Sequence, residues 1–454
     1  MCDHPNHIYC TPEMLPKDFV PIASQGAIMG VDWEQRVDFD RLRRYRIGRV
    51  QQQLKSSHLG SLLLFDMNNI RYTTASNIGN WARDKYFRCT LITRDQEPIV
   101  WDIGSSAKQH KMHNPWISPD NWRPVVSSWR GSIKEEVGIE KANAKRIADI
   151  LRDRGLANEP VGIDVVEIPV LKALEAEGLT IANAEGLMQS ARVIKSIDEV
   201  SLLETAATLV DAAYDELFRQ MRVGAKESEM VAVVNHVLYN LGSENVEAVN
   251  AISGDRCSPH PHVFSDRYLR PGDMAYYDII HSFMGYRTCY YRTINVGGAN
   301  SKQRDVYKKT REILDEAIAE IRPGASSADI AKHFPKATDF GFSTEEEAFG
   351  LQYAHGIGVG LWEQPLISRY HSFEHPITIE EGMVFAIETY WPSQDGSTAA
   401  RIEEEIHVTK DGPRLLTKFP AQELLIAGTR FWNGFTFANG ANEIARGGSA
   451  KMST

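Results

Sequence analysis

Residues 401–409 read RIEEEIHVT, and residues 382–389, a dozen positions before them, read GMVFAIET. In the first stretch, strand alternation puts Arg401, Glu403, Glu405 and His407 on one face and Ile402, Ile406 and Val408 on the other. In the second, Glu388 closes a run of buried-strand character. A charge in such a run is costly unless it is paired or bound to a metal. Two more segments carry the same misfit. In GDMAYYDIIHSFMGYRTCYYRT (272–293), Asp278 follows the aromatic-rich MAYY. In QYAHGIGVGLWEQP (352–365), His355 stands before three alternating glycines that allow close backbone approach. Carboxylates and an imidazole converging in one cavity suit a hard-to-borderline divalent metal. Singly, each residue reads as an edge ion pair or a hydrogen-bonded core side chain. Only the ordered set is informative.

Outward from these segments, the pattern divides the 454 residues. Residues 1–30 mix Pro, His and polar residues without periodicity and read as an irregular arm. From Asp38 a helical repeat, FDRLRRYRIGRVQQQLKSSHL, leads to the apolar strand and turn of SLLLFDMNNIRYTT. CTLITRD and EPIVWDIG alternate like paired strands, residues 134–154 are helical, and VGIDVV is a short buried strand. This makes 31–192 one α/β domain. A seam follows, where Ser196 and Glu199 form a helix-starting pair. Helices near 199–220 and 225–242 then precede strands at 273–280 and 286–296, a helix at 303–321, and strands at 383–389 and 401–409. That order predicts an α+β domain over 193–432, before a small, polar tail at 433–454.

The ordered set resembles the superfamily of creatinase, prolidase, methionine aminopeptidase and aminopeptidase P, which share the pita-bread fold. FDMNNIRYTT (65–74) is similar to a strand of the family's N-terminal domain, and RVIKSIDEVSLLETAA (192–207) to the helix opening its catalytic domain. PHVFSDRYLRPGD (261–273) is similar to the approach to its first metal strand. The resemblance implies an α/β N-terminal domain plus an α+β pita-bread catalytic domain. It implies one divalent transition metal (iron, zinc or manganese), with a metal-free centre as the alternative. Asp278, His355, Glu388 and Glu403 match metal residues, and Cys289 stands where the metal enzymes place a bridging aspartate. Cys289 is either a thiolate ligand or a small filler at a lost ligand position. His262 matches the histidine before the first metal strand, with His260 its close competitor.

Where proline-specific peptidases carry two further histidines, this chain has Leu351 and Trp362. Aromatic residues cluster at the same segments: Tyr286, Tyr290, Tyr291, Tyr353 and Trp362, with Trp81 available from the N-terminal domain. Aromatic faces beside carboxylates suit a small sulfonium, quaternary ammonium or guanidinium. The layout looks most like the metallopeptidase-like dimethylsulfoniopropionate lyases. The expected activity is therefore a lyase or hydrolase cleaving a C–S or C–N bond in a small onium or zwitterionic compound. Its proton acceptor is His262 or Glu363, and Trp81, Tyr286, Tyr353, Trp362 and Arg401 bind the substrate. The alternatives are a metal-free, creatinase-like amidino or amide hydrolase, an Xaa-Pro dipeptidase, and a non-catalytic binding module.

Composition bounds the partners. Sixty acidic against 50 basic residues, a net charge of −10, disfavour a nucleic-acid surface. No apolar run is long enough to span a membrane. Five cysteines, odd in number and without metal-type spacing, point to a reducing cytoplasm. The expected partners are a small-molecule substrate and, by resemblance, a second copy forming a homodimer.

Overall fold

The computed structural model describes residues 37–79 and 87–429. The arm 1–30, the tail 433–454 and Trp81 lie outside the described residues. Helix α1 (Phe39–Lys55) starts where the Asp38 side chain accepts from the Asp40 and Arg41 N–H groups, and it buries Leu42, Val50 and Leu54. Strand β1 (Ser61–Leu64) follows. The next segment departs from its strand-like reading: Met67–Thr74 is helix α2. The reason is local, because the Asp66 carboxylate takes the Asn68 and Asn69 N–H groups at 2.9 and 3.0 Å. The domain continues through β2 (Cys89–Thr93), β3 (Ile99–Ile103), α3 (Gly104–His113), β4 (Trp122–Val125) and α4 (Ile139–Asp153). It closes with β5 (Val161–Ile163), α5 (Ile168–Ala176), β6 (Ile181–Asn183) and α6 (Glu185–Arg192). The sheet order is β4-β3-β2-β1-β5-β6.

The seam behaves as read. Ser196 and Glu199 form a reciprocal cap that starts α7 (Ile197–Gln220), and α8 (Glu227–Asn240) packs beside it. Three antiparallel strands follow: β7 (Asn245–Ser253), β8 (Met274–Phe283) and β9 (Tyr286–Val296). Then come α9 (Ser301–Ala319), α10 (Ser327–Ala331), β10 (Tyr353–Gly356) and β11 (Glu363–Ile367). The chain finishes with β12 (Val384–Pro392), β13 (Ala399–Thr409), β14 (Gly412–Leu415) and β15 (Leu425–Ala427).

These strands make two sheets, β11-β10-β12-β13-β14 and β15-β9-β8-β7. Alternation decides what each face meets. Val210, Ala213, Tyr214 and Leu217 of α7 pack on Tyr277, Ile279, Tyr290 and Ile294. Val306, Leu314 and Ala317 of α9 pack on Phe385, Ile387, Ile402, Ile406 and Val408. Each such aliphatic or aromatic side chain, fully buried, contributes roughly 1.5–3 kcal/mol. The helices thus take the outer faces. The residues between the apolar ones, Asp278, Cys289, Glu388 and Glu403 among them, are left on the inner faces. The sheets meet at β9 and β13, where Thr293 Oγ1 accepts from the Arg401 N–H at 2.9 Å and donates to the Arg401 carbonyl at 2.6 Å.

Candidate metal centre and its cavity

Register brings the site together. Asn250 lies opposite Asp278, Ile280 opposite Cys289, Tyr353 opposite Glu388, and Glu388 opposite Glu403. A cavity of about 320 Å³ opens there, lined by Asp278, Cys289, His355, Glu388 and Glu403 together with His262, Tyr291, Tyr353 and Trp362. Within it, Cys289 Sγ lies 3.5 Å from both His355 Nε2 and Glu403 Oε1, and these last two are 3.9 Å apart. All three residues are buried and form a group able to hold a metal ion.

Each donor is aimed from behind. His355 Nδ1 donates to the Gly356 carbonyl at 3.2 Å, which turns the Nε2 lone pair inward. Glu403 Oε2 accepts the Tyr291 N–H at 3.1 Å. Glu405, one alternation further along β13, accepts the Cys289 N–H at 2.9 Å and the Thr288 hydroxyl, fixing the strand that carries the thiol. Asp278 Oδ2 accepts from the Asn250 amide at 2.9 Å, while its Oδ1 is buried without a partner.

The electrostatics are one-sided. Burial, then Glu388, pushes the Asp278 carboxyl up to about 7. Burial, then Glu388 and Asp278, raises Glu403, and burial, then Glu403, raises the Cys289 thiol. Burial lifts Glu405 to about 8. These groups share a shortage of positive charge. Arg401 is the cation beside Asp278 and Glu403, and it is committed to Glu388, with Nε at 2.9 Å and Nη2 also bonded. Its guanidinium stacks 4.3 Å from the Tyr291 ring centroid.

Residues 201–410 match the model of metallopeptidase family M24. The chain is 24% identical to a dimethylsulfoniopropionate lyase of Roseovarius nubinhibens over 404 residues, covering 86% of this chain and 88% of that protein. It is 30% identical to an Xaa-Pro dipeptidase of Pyrococcus horikoshii over 242 residues, 52% of this chain and 66% of that one. An Xaa-Pro dipeptidase structure from Bacillus anthracis superposes with a TM-score of 0.67 at 22% identity, covering 84% of this chain and 99% of that one. Residues 201–410 thus belong to family M24, and the chain has the pita-bread fold of these structures. Its homologues are enzymes, lyases or peptidases.

The donors fit one of the divalent metals such pita-bread enzymes bind. Zinc-type bond lengths at a tetrahedral angle put S and N donors about 3.6 Å apart and N and O donors about 3.4 Å apart. The three separations here lie within about half an ångström of those values. A second ion is poorly provided for, since by the resemblance Cys289 stands where a bridging carboxylate would be, and Arg401 holds Glu388.

Four expected site residues are placed differently from their sequence reading. Glu363 does not face the cavity. It is 4% exposed and ion-paired to Arg192 at 3.0 Å and Lys195 at 2.9 Å, and it accepts the Gly360 N–H at 2.8 Å. Burial raises its carboxyl, but Lys195 and Arg192 outweigh that and hold it below the ordinary value. The glycines after His355 serve this carboxylate: a Cβ on Gly358 would sit 2.5 Å from its Oε2. Tyr286 is a core residue between the domains, donating to Glu199 at 3.1 Å and accepting from Arg46. Arg401 is fully buried and acts through Glu388 instead of reaching the cavity. His260 is buried with Nε2 on the Tyr291 hydroxyl at 3.0 Å, whereas His262 stands at the exposed rim and lines the cavity.

Trp362 and Tyr353 both line the cavity. The half-exposed Trp362 ring stacks on His355 at 4.6 Å and on Tyr353 at 5.4 Å. Asn250 was missed, because the mixed polarity of NVEAVNAIS hides a strand; its signal was a lone amide between apolar residues. Lys195, the partner of Glu363, lies in the helix seam, where nothing local marks it as a charge partner. A larger cavity, about 910 Å³, lies between the domains beside Arg71, Glu244 and Arg287. It shares only Leu361 and Trp362 with the metal-site cavity. Among the described residues, no helix is long and apolar enough to cross a membrane.

Proposed function

We propose that this chain is a lyase or hydrolase that cleaves a C–S or C–N bond in a small onium carboxylate, with dimethylsulfoniopropionate-like compounds as the substrate class. The observation that carries this reading is Trp362, stacked over His355 and Tyr353 at the mouth of a small acidic cavity. By the resemblance, peptidases keep a proton-handling histidine at that position. An aromatic face there attracts a desolvated onium group by roughly 0.5–2 kcal/mol. The similarity to the Roseovarius nubinhibens lyase over nearly the whole chain supports the same class.

The residues divide the work as follows. Trp362 and Tyr353 hold the onium end. A divalent ion, when bound by Cys289, His355 and Glu403, supplies positive charge for the substrate carboxylate. His262 accepts the proton from the carbon beside that carboxylate. The C–H electron pair becomes the new double bond, and the C–S pair leaves with the neutral sulfide. His262 suits this role because burial, and then Arg401, lowers its pKa, so the ring is neutral at neutral pH. Glu363, neutralised by two cations, is left out of the chemistry.

A second reading, dipeptide hydrolysis, is favoured by the 30% identity over 242 residues to the Pyrococcus horikoshii dipeptidase. The deciding experiment incubates the full-length, metal-loaded protein with a panel of sulfonium propionates, betaines and Xaa-Pro dipeptides. Headspace chromatography follows the volatile sulfide, and proton NMR follows acrylate, amine or free proline. Sulfide and acrylate in equal amounts support the lyase. Proline release with no onium turnover would replace it with the peptidase.

A further inference from the structure

We propose that the inner face of the sheets binds one thiophilic divalent ion per chain through Cys289 Sγ, His355 Nε2 and Glu403 Oε1. The inference rests on the metal-centre part of the preceding reading and is independent of the substrate. Three observations lead to it. The donors converge at 3.5, 3.5 and 3.9 Å with all three residues buried. They are a sulfur, a nitrogen and an oxygen, a set that selects zinc, cobalt(II) or cadmium over magnesium or manganese. Finally, the neighbouring carboxylates are engaged. Glu388 is held by Arg401, and Glu405 by Thr288 and the Cys289 N–H. Asp278 keeps one oxygen, Oδ1, unpartnered on the same cavity.

Charge closes with one ion. A dication is balanced by one thiolate and the Glu403 carboxylate, and Arg401 balances Glu388. A second dication would find Glu388 already paired with the Arg401 guanidinium behind the cavity wall, leaving the buried, unpartnered Asp278 Oδ1 to receive it. Binding is an exchange without redox change. The Cys289 S–H bond breaks, its proton leaves to solvent, and the sulfur electron pair forms the bond to the ion.

The test uses the full-length protein, stripped by chelator and reloaded with cobalt(II) or zinc. The expected result is one ion per chain by mass spectrometry and a near-ultraviolet thiolate-to-cobalt charge-transfer band. Cys289→Ser should remove the band and weaken zinc binding at least tenfold, while Cys257→Ser, altered away from the centre, keeps both. Cys289→Asp should lose the band and shift preference from zinc toward manganese, which keeps the test decisive if the serine variant fails to fold. Two ions per wild-type chain, or one ion with no thiolate band, would overturn the proposal. The band with no onium turnover supports it and sinks the lyase reading alone.

Discussion

Two buried acidic sites lie on either side of the Leu361–Trp362 segment, and they are built to opposite ends. Glu363 is fully answered: Lys195, Arg192 and the Gly360 N–H surround it. Its carboxyl stays ionised, and the ion pairs tie the β10–β11 turn to the end of the N-terminal domain. Gln189 of α6 adds two bonds to the same turn, at the Trp362 carbonyl and the Gln364 N–H. Across Trp362, Arg401 is paired to Glu388 and Arg292 is the cation that acts on Glu405, yet burial still drives Asp278, Glu403 and Glu405 toward the neutral form. The satisfied site holds structure. The unsatisfied one is short of a cation, as the proposed metal centre requires.

The largest effects test that division. His262→Ala should lower kcat by about 10²- to 10⁴-fold, the usual worth of a positioned proton acceptor. In the wild type the neutral ring is the competent form, so the rate should fall as pH drops through a value below 6.5, the ordinary imidazole pKa. Steady-state pH profiles check this, and the acid limb should vanish in the variant. Glu363→Gln should cost about 3–5 kcal/mol of folding free energy, because two buried cations lose their partner. Urea denaturation measures it, with the activity of the folded fraction retained. A collapse of kcat at unchanged stability would instead move Glu363 to the chemical side.

Smaller effects sharpen the contrast. A divalent ion at about 100 times its Kd should stabilise the fold by roughly 2.7 kcal/mol, and chelator should reverse the gain in thermal unfolding. The same addition should leave the Glu363 contribution unchanged, so the ion's effect should be equal in Glu363→Gln. Trp362→Ala should raise KM for an onium substrate about 2- to 30-fold, the range of a cation–π contact, with little change in Tm. An equal rise for a neutral analogue would reduce Trp362 to a packing residue.

Much of this was legible along the chain, for a definite reason. A strand repeats every two residues, so RIEEEIHVT already separates the helix-facing isoleucines from the inward acids. Ser196 and Glu199 start α7 as written because a cap is a contact between near neighbours. Met67–Thr74 resembles a strand of the family's N-terminal domain but is a helix here, because the Asp66 carboxylate caps it. Glu363 was misassigned for a different reason. Its neighbours along the chain place it beside the metal histidine, yet its partners come from Arg192 and Lys195, some 170 positions earlier. Tyr286 and Arg401 were likewise read by type, aromatic and cationic, when their roles depend on Glu199 and Glu388.

By itself, then, the sequence carried the fold class and named five groups that line one cavity, through strand alternation together with the resemblance of its motifs to the pita-bread superfamily. The tertiary structure alone decided which carboxylate is neutralised and which is left bare. The charge state of a buried acid depends on the cations that long-range folding places within a few ångströms of it, and no local pattern records their arrival.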